Sequence, residues 1–73
     1  MKLDLHGTKH EDVKSKVIRF VESHWDSGNE LQVITGKSGQ MIHLVQNVLD
    51  EYRLDYNIGG FWDYNPGYIT VYT

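Results

Sequence analysis

The chain contains no cysteine, a single proline and few basic residues, and each shortage removes a class of protein. Without thiols there is no disulfide framework, no thiolate metal ligand and no cysteine nucleophile. A thiol-free chain fits a reducing compartment, and a cytoplasmic location is the expectation. No apolar run approaches the roughly 18 residues that span a bilayer, and the first residues form no apolar signal-peptide core. Neither a signal peptide nor a membrane partner is therefore expected. Lys and Arg number 7 against 10 Asp and Glu, for a formal net charge of −3. That balance argues against a strong nonspecific nucleic-acid binder, whose surface is normally basic.

What charge there is lies unevenly along the chain. Residues 1–20 hold Lys2, Lys9, Lys14, Lys16 and Arg19 against Asp4, Glu11 and Asp12, whereas residues 21–73 hold only Lys37 and Arg53 against seven acids. A phosphate contact on this protein is a local one. The 73 residues suffice for one core, so residues 1–73 read as a single domain. A chain of this size buries only about 60% of its unfolded surface, and every regular element must reach the same core. Forty per cent apolar and 12% aromatic residues fit a globular domain rather than a disordered one.

Hydrophobic periodicity predicts the order of elements. "KLDLH", Lys2 to His6, alternates as a short strand, with Leu3 and Leu5 toward the core and Asp4 and His6 on the other side. "TKHE", Thr8 to Glu11, has the spacing of a capping box. Val13, Val17, Val21 and Trp25 then form a helical stripe with Ile18 beside it, and Lys16, Arg19 and Glu22 lie opposite. Asp26 to Asn29 reads as the turn that ends this helix. "ELQVIT" is a β-branched strand, and "GKSGQ" is a glycine turn. Met41 to Tyr52 is a second helix, its stripe formed by Met41, Val45 with Leu44, Val48 and Tyr52. "RLDYNI" is a third strand, broken by the glycines after it, and "YNPG" is a turn before the last strand, "YITVYT". The expected fold class is α/β: a βαβαββ two-layer sandwich, with two helices on one face of a mixed four-stranded sheet.

Several groups of residues are candidates for chemistry. An Asp–x–His pair on one strand face sets the Asp4 carboxylate beside the His6 imidazole, which fixes a tautomer and suits the imidazole to general acid–base work. Gly7 behind it lets a ligand approach the backbone. The same pair also reads as ordinary solvated surface. "TGKSG", Thr35 to Gly39, precedes a helix, so free N–H groups, mobile glycine backbone and the Lys37 charge can together hold a phosphate. Alternatively, the loop needs its glycines for turn geometry alone. A nucleotide P-loop is excluded, because Leu31 stands where its first glycine would be. Ser38 reads as a helix cap rather than a nucleophile. Asp4, His6, His10 and Asp12 match no metal-ligand spacing, so no resident metal is expected, while an Mg²⁺ ion shared between Asp4 and a substrate phosphate stays open. His24 and His43 fall within helices and need no special role. Phe61 and Trp62 can stack on bases, although a plug for a small core is the favoured reading. Tyr68 and Tyr72 share the side of the last strand opposite Ile69 and Val71, where a working surface or partner interface would include them with Asp4 and His6.

This order of motifs resembles the small MutS-related (Smr) domain family over essentially the whole chain. "LDLHG" at residues 3–7 matches in full, and Glu11 or Asp12 occupies the acidic position early in the first helix. Ile34, Thr35 and Gly36 match the threonine form of the family's loop, and Gly67 matches the glycine before the last strand. The resemblance implies a fold like the C-terminal domain of translation initiation factor three. It also implies binding of structured or branched RNA or DNA, with endonuclease cleavage in several members. Carried onto this chain, it makes Asp4 and His6 catalytic candidates and Gly7, Thr35, Gly36, Lys37, Ser38 and Gly39 the phosphate-binding set. The chain departs from the pattern in three ways. Ser38 follows Lys37 so that the second glycine comes one position late, Thr35 replaces the more frequent loop histidine, and the basic surface is reduced.

The functional expectation is an Smr-like domain that cleaves or nicks structured RNA or DNA. His6, oriented by Asp4, would move a proton at the scissile phosphodiester. On RNA the substrate's own 2′-OH would attack; on DNA water would be needed, and a divalent ion with it. The alternative is a non-catalytic module that holds nucleic acid or docks a protein through the aromatic C-terminal face.

Overall fold

A computed structural model of the chain describes residues 1–25, 30–59 and 67–72. In chain order these form β1 (Lys2–Asp4), α1 (His10–Ser23), β2 (Glu30–Ile34), α2 (Gly39–Glu51), β3 (Asp55–Ile58) and β4 (Tyr68–Tyr72). The strands make one sheet in the order β1-β2-β4-β3. β1 pairs parallel to β2, and β4 runs antiparallel to both of its neighbours, β2 and β3. The three strands β1, β2 and β3 thus point the same way and end at one edge of the sheet, where β4 begins.

Period-two alternation divides the sheet into two faces. Leu31 and Val33 of β2 stand opposite Val71 and Ile69 of β4, and all four are buried with Val13, Val17 and Val21 of α1 and Met41, Val45, Val48 and Leu49 of α2. Both helices therefore cover the same face, as the βαβαββ reading requires. On the other face, cross-strand rows run Asp4–Ile34–Tyr68 and Lys2–Gln32–Thr70–Asn57. Tyr68 and Tyr72 lie on that face, as alternation predicts, and Asn57 Nδ2 donates to the Tyr72 hydroxyl at 3.0 Å.

Local details depart from expectation in instructive places. α1 starts one residue later than a capping box at Thr8 would need: Lys9 is the N-cap and makes no side-chain cap bond. The Thr8 hydroxyl instead lies 3.5 Å from the Lys16 ammonium, as its acceptor. Trp25 falls past the end of α1 and is 53% exposed, touching Tyr52 edge-on at 6.2 Å between ring centroids. The α2 stripe includes the fully buried Leu49, while Tyr52, which follows the last helical residue as the C-cap, is only half-buried. The turn at residues 26–29, residues 64–66 of the "YNPG" turn, and Phe61 and Trp62 lie outside the described residues.

α2 ends in a Schellman motif: Leu54 N–H donates to Leu49 C=O at 3.0 Å and Arg53 N–H to Asp50 C=O at 3.1 Å. The position that closes it is left-handed, at φ 54°, and is held by Arg53 rather than glycine. A side chain there crowds its own carbonyl, so Arg53→Gly should raise stability by about 0.5–1 kcal/mol in urea unfolding. A second test lies on β4. The Thr70 hydroxyl is buried without a hydrogen-bond partner among the described residues. Replacing it with a methyl group of the same shape removes an unmet polar group, and Thr70→Val should stabilise the domain by about 1 kcal/mol on the same measurement.

Candidate functional site

The register Asp4↔Ile34 makes β1 and β2 finish side by side, and Leu5 N–H extends the ladder by donating to Ile34 C=O at 2.9 Å. Both polar loops, residues 4–8 and 35–39, consequently leave the sheet at the same edge. The two candidate motifs therefore lie at one place in the fold.

In the first loop the strand ends at Asp4, so His6 sits in the following turn and not on the sheet face. Thr8 N–H donates to Leu5 C=O at 2.9 Å to close this turn, and Gly7 at φ 77° supplies the left-handed residue it contains. The Asp4 carboxylate accepts the backbone N–H of His6 at 2.8 Å. Alternation predicts a carboxylate beside the imidazole; the structure gives it to the backbone of the same residue. Asp4 therefore orients the His6 main chain, and the exposed imidazole is left facing solvent.

In the second loop the sequence leads to a different set of donors than expected. The N–H groups of Thr35 and Gly36 both donate to the Gly67 carbonyl, each at 3.0 Å. Thr35 is buried, with its hydroxyl donating to Gly36 C=O at 2.9 Å. These residues hold the loop against the start of β4 and do not offer their amides to a ligand. The Ser38 hydroxyl accepts Met41 N–H at 3.2 Å and is the α2 N-cap, as the sequence suggests. The first-turn amides of Gly39 and Gln40 precede the first i→i−4 bond, Ile42 N–H to Ser38 C=O, and have no acceptor among the described residues.

Electrostatics favours an anion at this helix over the other. The first turn of α2 contains no acidic residue, whereas the first turn of α1 contains Glu11 and Asp12, which already answer its positive end. Lys37 is exposed one residue before the cap and forms no ion pair among the described residues, where Lys14–Glu51 at 3.6 Å is found. Among the described residues no three His, Asp or Glu side chains cluster closely enough to hold a metal ion. Nor is any helix among them long and apolar enough to cross a membrane.

The family models, the curated proteins and the solved structures contain no match to this chain. The reading of the site thus rests on its own geometry.

That geometry sorts the glycines by what each is for. Gly7 and Gly36 have left-handed φ values of 77° and 67°, so the turns themselves require them. Gly39 has no such φ, and a Cβ built there would meet nothing within 4 Å. Its missing side chain is not a demand of the backbone and leaves the α2 N-terminus open to approach. Gly36→Ala should therefore lower stability by about 1 kcal/mol, while Gly39→Ala should leave it unchanged or raise it by up to about 0.5 kcal/mol, both by urea unfolding.

Proposed function

We propose that the strand-end edge binds the phosphodiester backbone of structured RNA or DNA, and that His6 transfers a proton during cleavage of the bound strand. The observation that carries this reading is the common exit of the His6 and Lys37 loops at the C-terminal ends of β1 and β2, next to an α2 N-terminus with no acid in its first turn. A phosphate at that terminus accepts from the Gly39 and Gln40 amides and is paired with Lys37. Developing negative charge in the transition state is met by the same donors. His6, held by its turn and by the Asp4 bond to its amide, supplies an imidazole that can give or take the proton. A strand lying along this edge also passes Tyr68, in the same cross-strand row as Asp4. Membership of the Smr family is part of the proposal and is supported by "LDLHG" and by the whole-chain order of motifs. A thiol-free chain is compatible with work in the cytoplasm.

A second reading, binding without cleavage, is favoured by one contact: the Asp4 carboxylate is engaged by the His6 amide and not by the imidazole. The two readings separate on a panel of single-stranded, duplex and branched RNA and DNA, incubated with and without EDTA. Cleavage by His6 should fall about 100-fold or more in His6→Ala, with affinity for the uncut strand retained. Lys37→Ala should reduce the slope of log affinity against log salt by about 0.7–0.9, the contribution of one phosphate contact. Cleavage that is equal in the native protein, His6→Ala and Asp4→Asn would leave only the binding reading, and salt-independent binding would remove both.

A further inference from the structure

β1 is an outer strand of the sheet, with β2 on one side of it and no strand among the described residues on the other. The ladder bonds show which of its backbone groups are used. Met1 C=O accepts from Gln32 N–H at 3.0 Å and Leu5 N–H donates to Ile34 C=O at 2.9 Å, so the odd-numbered residues face β2. In a parallel ladder the residues between them point their N–H and C=O groups the other way. The backbone groups of Lys2 and Asp4 therefore line the free edge, and they have no partner among the described residues.

Beside this edge runs an open groove between β1 and α1, lined by Leu3, Lys16, Arg19, Phe20, Ser23 and His24. The helical contributors fall at spacings of three and four, so they form one continuous stripe of α1 along the strand. Leu3 and Phe20 are half-buried against the core, which makes the floor of the groove apolar. Its charged lining is all positive, Lys16 and Arg19, and includes no carboxylate. This is also the stretch of chain in which the basic residues are concentrated, in a protein that is acidic as a whole.

We propose that an extended segment of a partner protein adds to the sheet along β1, with an apolar side chain in the groove and carboxylates against Lys16 and Arg19. Free main-chain donors and acceptors alternating with a side-chain groove recognise a peptide backbone, because its N–H and C=O groups repeat with the strand. Successive residues of an added strand point to opposite faces. The residue that projects beside Leu3 enters the groove, and the residues two positions away on either side project the same way toward the cations. The recognised pattern is therefore acidic–x–apolar–x–acidic. This inference goes beyond the nucleic-acid reading and does not require the α2 N-terminus, Lys37 or the His6 imidazole.

The probe is the acetylated and amidated peptide Glu-Thr-Leu-Thr-Glu, titrated to millimolar concentration into the ¹⁵N-labelled protein. The expected result is shifted amide resonances at Lys2 and Asp4, slowed exchange of those two amides, and shifts along the Lys16–His24 side of α1. N-methylation of the peptide at its strand-facing amides should weaken binding about fivefold or more, the factor for a lost hydrogen bond. Lys16→Glu with Arg19→Glu should weaken it about tenfold, with unchanged thermal unfolding, and should reverse the preference toward a Lys-Thr-Leu-Thr-Lys peptide. The inference is overturned if the two peptides bind equally to the native protein, or if N-methylation has no effect. It is also overturned if oligouridylate rather than the peptide shifts these resonances, or if sedimentation shows that a second copy of the chain already occupies the edge. None of these results bears on cleavage by His6, which is measured separately.

Discussion

The parallel pairing of β1 with β2 is the contact on which the candidate site depends. β1 has three residues and, among the described residues, one neighbouring strand, so little holds it except that ladder and the burial of Leu3 and of Leu5 just past its end. Leu5 is fully buried and continues the ladder through its amide, while Asp4 immediately before it is exposed. A slip of one residue would exchange them, setting a carboxylate in the core and a leucine in water. The cost of such an exchange fixes the register, and the register fixes where the His6 turn lies relative to the Lys37 loop. The polar chemistry is thus aligned by an apolar side chain that takes no part in it.

A second constraint comes from the insertion of β4 between β2 and β3. Because β4 is antiparallel, it enters the sheet at the edge where the other strands leave, and the Gly67 carbonyl arrives beside the second loop. It receives the amides of Thr35 and Gly36 together, which ties that loop to the sheet. The Gly67 carbonyl takes the amides of the glycine loop, so the donors left for an anion are those of the first turn of α2. The Ser38 cap works in the same direction: it satisfies Met41 N–H and leaves the two preceding amides open. A loop that is rigid on one side and open on the other presents its donors with little further ordering, which is what preorganised charge stabilisation requires.

Much of this was legible in the sequence, and the reasons are specific. The two helices are readable because Val13, Val17 and Val21, and Met41, Val45 and Val48, repeat at helical spacing in a chain with a single core to fill. The face of β4 follows from alternation of Ile69 and Val71 with Tyr68 and Tyr72. The candidate residues were nameable because Asp, His and a Gly-Lys pair after short strands carry recognisable chemistry. What could not be read is whatever depends on strand order. Alternation cannot say that β1 stops at Asp4 and that His6 belongs to a turn, because the same residues fit a longer strand. Nor can it show that the partner of Thr35 and Gly36 is a carbonyl about thirty residues later in the chain, since that contact exists only once β4 has been inserted. Arg53 was invisible for another reason: a left-handed cap signals itself in sequence through glycine, and here the Schellman hydrogen bonds and the half-buried Leu54 hold an arginine in the position instead.

The unequal distribution of charge acquires a structural meaning from the same topology. Lys16 and Arg19 lie along the β1 edge, while Lys37 lies at the strand ends, so these three cations fall in two separate places. A duplex-binding surface normally spreads cations over the many phosphates it covers, and its affinity grows with their number. Two separated patches on an acidic domain favour a different division of work, in which each contributes a few directional contacts. In the proposed phosphate site, helix amides and a lysine at the strand ends would meet one phosphate. In the proposed docking site along β1, backbone groups and two cations would meet a peptide. Neither contact depends on the spread cations of a duplex-binding surface, so both are compatible with a net charge of −3.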